Sequence, residues 1–237
     1  MPCLKDKTVL IIGRGSGIAR AIALAVSEEG GQVIAAGRHP QDLAESYRGM
    51  DIGIEQVDVT DESSIAALAG QVAKVDHVVS TASARTRGGY RDLTASLVNA
   101  SFGTKVTGPV LLAKHLAGNL PPDGSFLFMS GATALKPAPG MLAVAATNAA
   151  VDAITAGLAV ELAPIRVNAI APGTIDTGAY DALGDEQKAA LFHARSAANP
   201  ARRIGTADDI AAAALAALTN GFLTGASIPV DGGEHLV

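Results

Sequence analysis

Directly after the short apolar run at 8–12, the residues Gly13-Arg14-Gly15-Ser16-Gly17-Ile18-Ala19 lead into a segment with helical periodicity. Glycines at a strand-to-helix turn let the backbone approach a pyrophosphate, and the open N–H groups of the helix start favour its negative charge. Gly13, Arg14, Ser16, Gly17 and Ile18 are therefore candidates to hold the phosphates of a dinucleotide. The alternative is a glycine-rich turn without a ligand, which the strand before it and the helix after it make the weaker reading. Other chemistry has little to draw on. Cys3 is the single cysteine, so no internal disulfide or Cys-x-x-Cys pair can form, no metal site is expected, and a reducing cytoplasm is the natural compartment.

A loop of this kind needs a strand, a turn and a helix to hold it, and the chain repeats that alternation. Apolar, β-branched runs at 8–12, 33–36, 52–57, 77–80, 126–129, 166–170 and 227–230 read as strands. Helical periodicity lies between them at 18–29, 41–47, 62–73, 93–116, 141–162 and 208–219. Parallel neighbours need crossovers, so the expected fold is α/β: a doubly wound, Rossmann-like parallel sheet of about seven strands with helices on both faces. Gly30-Gly31, the turn 121–124 and Pro164 punctuate it, and no linker divides it, which predicts one domain over 1–237. The segment 173–199 breaks the alternation; with Tyr180, Gly184 and His193 it is the candidate lid.

Composition narrows the partners. Of 237 residues, 49% are hydrophobic and only 17% charged, which excludes a disordered chain. The net charge of -5 gives no basic face for nucleic acid, and the first apolar run is too short for a signal core or a bilayer span. Five Phe, three Tyr and no Trp leave an aliphatic core and few stacking platforms. A small-molecule substrate is the expected partner, with neither nucleic acid nor membrane.

The loop departs from Gly-x-Gly-x-x-Gly and resembles the Thr-Gly-x-x-x-Gly-Ile-Gly loop of the short-chain dehydrogenase/reductase family, with Ile12 for Thr and Ala19 for the last Gly. Further matches run along nearly the whole chain: Asp58-Val59, Ile165-Arg166-Val167-Asn168, Ala171-Pro172-Gly173-Thr174-Ile175-Asp176-Thr177, and the C-terminal stretch ending Val230-Asp231-Gly232-Gly233. The resemblance implies that Asp58 and Val59 contact the adenine and that Pro172, Gly173, Ile175 and Thr177 face the nicotinamide. It also places Ser80, Thr81 and Ala82 beside the cofactor, where Ser80-Thr81-Ala82-Ser83 replaces the family's Asn-Asn-Ala-Gly. A carboxylate ending the second strand would bond the ribose hydroxyls and repel a 2′-phosphate, whereas this strand ends Ala36-Gly37-Arg38. Arg38, with Arg14, favours NADP(H) over NAD(H), unless both are merely solvated. The family also implies a homo-oligomer, dimer or tetramer. Ala145, Ala149, Ala153, Ala156 and Gly157 on the 141–162 helix would allow two such helices to approach closely.

The family's proton chemistry rests on a Ser after the fifth strand and a Tyr with a Lys four residues later, a spacing that puts both on one helix face. Those positions fall on Gly131, Val144 and Asn148, with Ser130 one residue away from the first. The family's structural Asn on the preceding long helix falls on Lys105. Lys105 and Asn148 thus look like two residue types exchanged between facing helices, and Lys105, Asn148 and Ser130 are the candidate catalytic groups. The alternative is an exposed Lys105 and an Asn148 that only packs. Function reads as an NADP(H)-binding oxidoreductase with a non-standard site and an unidentified small substrate. Two rival readings stand: a cofactor-binding pseudoenzyme that senses or scaffolds, and a redox-neutral lyase, isomerase or dehydratase.

Overall fold

In the computed structural model, which describes residues 3–84 and 86–237, seven strands form one parallel sheet. They are β1 (Thr8–Ile12), β2 (Gln32–Gly37), β3 (Ile52–Gln56), β4 (His77–Ser80), β5 (Ser125–Met129), β6 (Arg166–Pro172) and β9 (Ser227–Val230), in the order β3-β2-β1-β4-β5-β6-β9. A minor parallel pair, β7 (Ile175–Asp176) and β8 (Gly205–Thr206), lies beyond the end of β6. The chain steps outward from β1 through β2 to β3, then returns to β4 on the other side of β1. That reversal opens a crevice between the C-terminal ends of β1 and β4, where ligands of open α/β sheets bind.

Side-chain alternation along the strands feeds two cores. Val9 and Ile11 pack with Ile22 and Val26 of α1 (Gly17–Glu28) and with Ile210, Ala214 and Leu218 of α8 (Ala207–Thr219). Leu10 and Ile12 point the other way, onto Ile65 and Leu68 of α3 (Glu62–Gln71) and Leu112 and Leu116 of α5 (Gly108–Leu116). Val151 of α6 (Leu142–Glu161) completes that second core. Strands buried on both faces show little polar alternation, which is why the sheet reads as plain apolar runs.

Two elements differ from the sequence expectation. The helix expected over 93–116 is broken: α4 (Ala95–Phe102) passes into a wider π turn, Gly103–Thr107, before α5 resumes. Pro109 is the cause, because it has no N–H for the carbonyl of Lys105 four residues back and its ring crowds that carbonyl. Gly108 accordingly donates to Gly103 five residues back. Within 173–199 lies α7 (Asp185–Ala198), fourteen residues with none buried. Between β2 and β3, α2 (Pro40–Ser46) turns the chain beside the glycine loop.

Candidate active site

The loop after β1 is shaped by close backbone approaches. Gly13 donates to the carbonyl of Ala36 at 2.9 Å, and a Cβ on Gly37 would lie 2.6 Å from the Gly13 carbonyl oxygen. Across the crevice, Thr81 donates its amide to Ile12 at 2.8 Å, and a Cβ on Gly13 would lie 2.2 Å from its hydroxyl. Gly17 has φ +56, the left-handed conformation that turns the chain into α1. Ser16 makes no side-chain cap, so the first amides of α1 stay open to an anion. Ile18 is half-buried against the first core, and Ser46 donates to the carbonyl of Gly15 from α2.

Of the remaining cofactor candidates, Thr177 stands opposite the loop, 3.1 Å from where a Gly17 Cβ would sit. Arg14 and Arg38 are exposed, and neither has an ion-pair partner among the described residues. Asp58 accepts from the amide and hydroxyl of Thr60 at 2.9 and 2.7 Å; these bonds hold its carboxyl below the usual range, with Arg38 adding to the effect. Val59 is buried in the second core against Gly108, and Ala82 packs on that core, so both shape the wall from behind. Ser80 is buried at the end of β4. Pro172 ends β6, Gly173 donates to Val230 at 3.2 Å, and Ile175 is buried in the first core.

The three candidate catalytic residues form one buried cluster. From the π turn, Lys105 is only 6% exposed and donates through Nζ to the Ser130 carbonyl at 3.0 Å and to Asn148 Oδ1 on α6. The Ser130 hydroxyl donates to the backbone carbonyl of Asn148 at 3.1 Å, which commits it to holding α6. Asn148 Nδ2 donates in turn to Thr133 Oγ1 at 2.7 Å. Gly131 closes the cluster: a Cβ there would lie 2.5 Å from Asn148 Nδ2. Sequence reasoning misses Thr133, and it gives Gly131 only as the residue at the position of the family's serine. Val144 is buried on the same side of α6, and Thr147 bonds back to the carbonyls of Ala143 and Val144.

Next to this cluster lies an open cleft of about 450 Å³. The loop around Gly88 and Tyr90, the segment from Thr133 to Leu142, and Ala145, Ala146 and Ala149 of α6 line it. Gly88 donates to Gly140 at 3.0 Å, joining two of these walls. Lys105, Asn148 and Ser130 do not line the cleft, but Thr133 does. The lid candidate Tyr180 stacks edge-on against Phe192 and lies under the Arg87 guanidinium, 5.6 Å from it. His193 is exposed on α7. A second cavity, of about 340 Å³, lies between Thr174, Asn199 and Asp231; there Asp231 accepts from His235 Nδ1 at 2.5 Å.

Residues 12–235 match a family model described as enoyl-(acyl carrier protein) reductase. The short-chain dehydrogenase/reductase ucsE of an Acremonium species is 30% identical over 98% of this chain and 96% of its own. An uncharacterized oxidoreductase of Mycobacterium tuberculosis is 34% identical over 97% of this chain and 92% of its own. Among solved structures, a small-chain dehydrogenase in complex with NADPH superposes with a TM-score of 0.85 at 32% identity, covering 98% of this chain and 99% of that one. The MalC reductase/Diels-Alderase of Malbranchea aurantiaca gives 0.92 at 28% identity, covering 100% and 99%.

Proposed function

The chain belongs to the short-chain dehydrogenase/reductase family, and from that premise we propose an NADP(H)-binding oxidoreductase with a non-standard active site, acting on a small carbonyl compound or the matching alcohol. The observation that carries the reading lies at the end of β2. Gly37 rests against the Gly13 carbonyl, so Arg38 emerges at the rim of the glycine loop, exposed and without an ion-pair partner among the described residues. No carboxylate ends the strand to repel a 2′-phosphate. Gly13 and Gly37 let the loop pack tightly against Thr81 and the end of β2, which fixes its backbone, and the open amides of α1 supply donors for a pyrophosphate. The residues present therefore fit the cofactor: Gly13 to Ile18 for the phosphates, Arg38 with Arg14 for the 2′-phosphate, Thr177 and Thr81 across the crevice. The solved relative that holds NADPH supports the same choice.

Bound NADP(H) would supply or accept the hydride. The chain's own part differs from the family pattern, since Val144, Asn148 and Gly131 stand where Tyr, Lys and Ser are expected. Lys105 restores an ammonium from the facing helix, and its positive charge lowers the energy of negative charge developing nearby. A second reading is a cofactor-binding protein without turnover. It draws on Ser130, whose proton is given to Asn148, and on Val144, which has none to give. Titration with NADPH and NADH decides first: NADPH should bind more tightly, and Arg38→Asp should abolish the preference. Equal affinities in the parent would remove the cofactor assignment. Screening carbonyl compounds for NADPH oxidation then separates turnover from binding alone.

A further inference from the structure

The hydrogen-bond directions within the buried cluster are fixed by chemistry. An ammonium only donates, so the side of Asn148 that meets Lys105 must be its oxygen. The amide nitrogen then faces Thr133 and donates to it at 2.7 Å, so the Thr133 oxygen is an acceptor there. Its own hydrogen has to go elsewhere. Among the described residues Thr133 donates to no acceptor, and it is one of the residues that line the 450 Å³ cleft.

Apart from Tyr90 at the rim, the rest of the described lining is mostly hydrocarbon. Pro137, Ala138, Pro139, Leu142 and the α6 alanines form its floor and walls, and among the described residues no acidic or basic side chain lines it. A charged group bound there would lose water without gaining a partner, a strongly unfavourable exchange. A neutral molecule with one acceptor oxygen loses little and finds one donor. The other hydroxyl on the lining, that of Tyr90, belongs to a residue 69% exposed at the rim, where water competes for it.

We propose that this cleft binds a compact, uncharged, largely hydrocarbon carbonyl compound whose oxygen accepts a hydrogen bond from Thr133, the outermost member of the chain Lys105–Asn148–Thr133. The substrate class rests on the oxidoreductase reading; the donor role of Thr133 does not. Polarisation by the ammonium passes along the chain, because each donor in it is strengthened by the one behind.

The probe is 2-decalone, with decahydro-2-naphthoate as its anionic counterpart, bound to the whole protein with and without NADPH. Calorimetry should give saturable binding of the ketone and at least about tenfold weaker binding of the carboxylate. The carbonyl stretch of the bound ketone, read by infrared difference spectroscopy, should move to lower frequency. Thr133→Val should abolish that shift and weaken the ketone about tenfold with NADPH affinity unchanged, while Thr133→Ser keeps the shift. A stretch unaltered by Thr133→Val, a shift lost instead in Tyr90→Phe, carboxylate binding as tight as ketone binding, or no saturable ketone binding would each overturn the proposal. Failure of NADPH to bind the parent counts against the oxidoreductase reading alone, since the infrared shift is measured without cofactor as well.

Discussion

A side chain on Gly131 and the amide of Asn148 cannot occupy their present positions together, because a Cβ on Gly131 would sit 2.5 Å from Asn148 Nδ2. Gly131 has φ 170, an extended conformation open to any residue, so glycine is required here for space rather than for backbone freedom. The amide cannot simply step aside, since Lys105 holds its oxygen and Thr133 its nitrogen. Gly131, Asn148 and Lys105 therefore form one interdependent set, joined across the strand end, α6 and the π turn.

Gly131→Ala should destabilise the fold by about 1–3 kcal/mol, the usual cost of forcing a group into filled space. In an Asn148→Ala background the same substitution should cost much less. Denaturant unfolding of the four members of this cycle should give a coupling energy above about 0.5 kcal/mol. Additive effects would mean that the amide moves freely and that the two sites are independent.

Lys105→Met removes the ammonium while keeping a long unbranched side chain. Asn148 Oδ1 and the Ser130 carbonyl then each lose a buried donor. NADPH affinity or turnover should fall by at least about tenfold, equivalent to about 1.4 kcal/mol. A variant that loses stability but keeps both affinity and turnover would assign Lys105 to packing and strengthen the reading of binding without turnover.

The sheet was legible because its inner strands are buried on both faces and so appear as apolar runs of the right length. Helix α7 was not, for the complementary reason: none of its residues is buried, so its sequence has no apolar stripe to reveal a period. The break before α5 did have a signal in Pro109, outweighed by the continuous helical pattern around it. Lys105 and Asn148 were legible as a pair of residue types on two helices, and the structure brings them into contact. Thr133 carried no signal, because its part depends on which end of the Asn148 amide faces Lys105. Only the folded arrangement decides that.

His77 predicts a stability window. It begins β4 beside Ser125, whose hydroxyl lies 2.8 Å from Nδ1, and burial followed by the nearby Arg166 charge pushes its pKa down to about 4. The fold thus favours the neutral ring, whereas the unfolded chain takes a proton near pH 6.5. Stability from this group is complete above pH 6.5, falls as pH drops from there to about 4, and levels off below, a loss on the order of 3 kcal/mol. Thermal melts across that interval should show the decline, and His77→Asn, which keeps a polar partner for Ser125 without titrating, should flatten it. An equal slope in the variant would place the acid sensitivity elsewhere.

The outward face of α6 bears on assembly. This helix is long and apolar enough by composition to cross a bilayer, yet only a third of its most apolar window is buried. Val144, Asn148, Val151 and Thr155 face inward, while Ala153, Ala156 and Gly157 are exposed, with Val160 at 79%; Leu142, Ala146 and Ala149, nearer the N-terminal end, line the cleft instead. Leu97 and Val110, on the neighbouring α4 and α5, are also exposed. Small side chains let two helices approach until their backbones nearly touch, and a twofold axis would bury the same face of both copies at once. We propose that this face joins two copies of the chain. Sedimentation at micromolar concentration should report a dimer or tetramer, and Ala153→Arg, which puts a long cation where the helices would meet, should reduce its mass. A monomeric parent at that concentration would contradict the proposal, as would an Ala153→Arg variant with the mass of the parent.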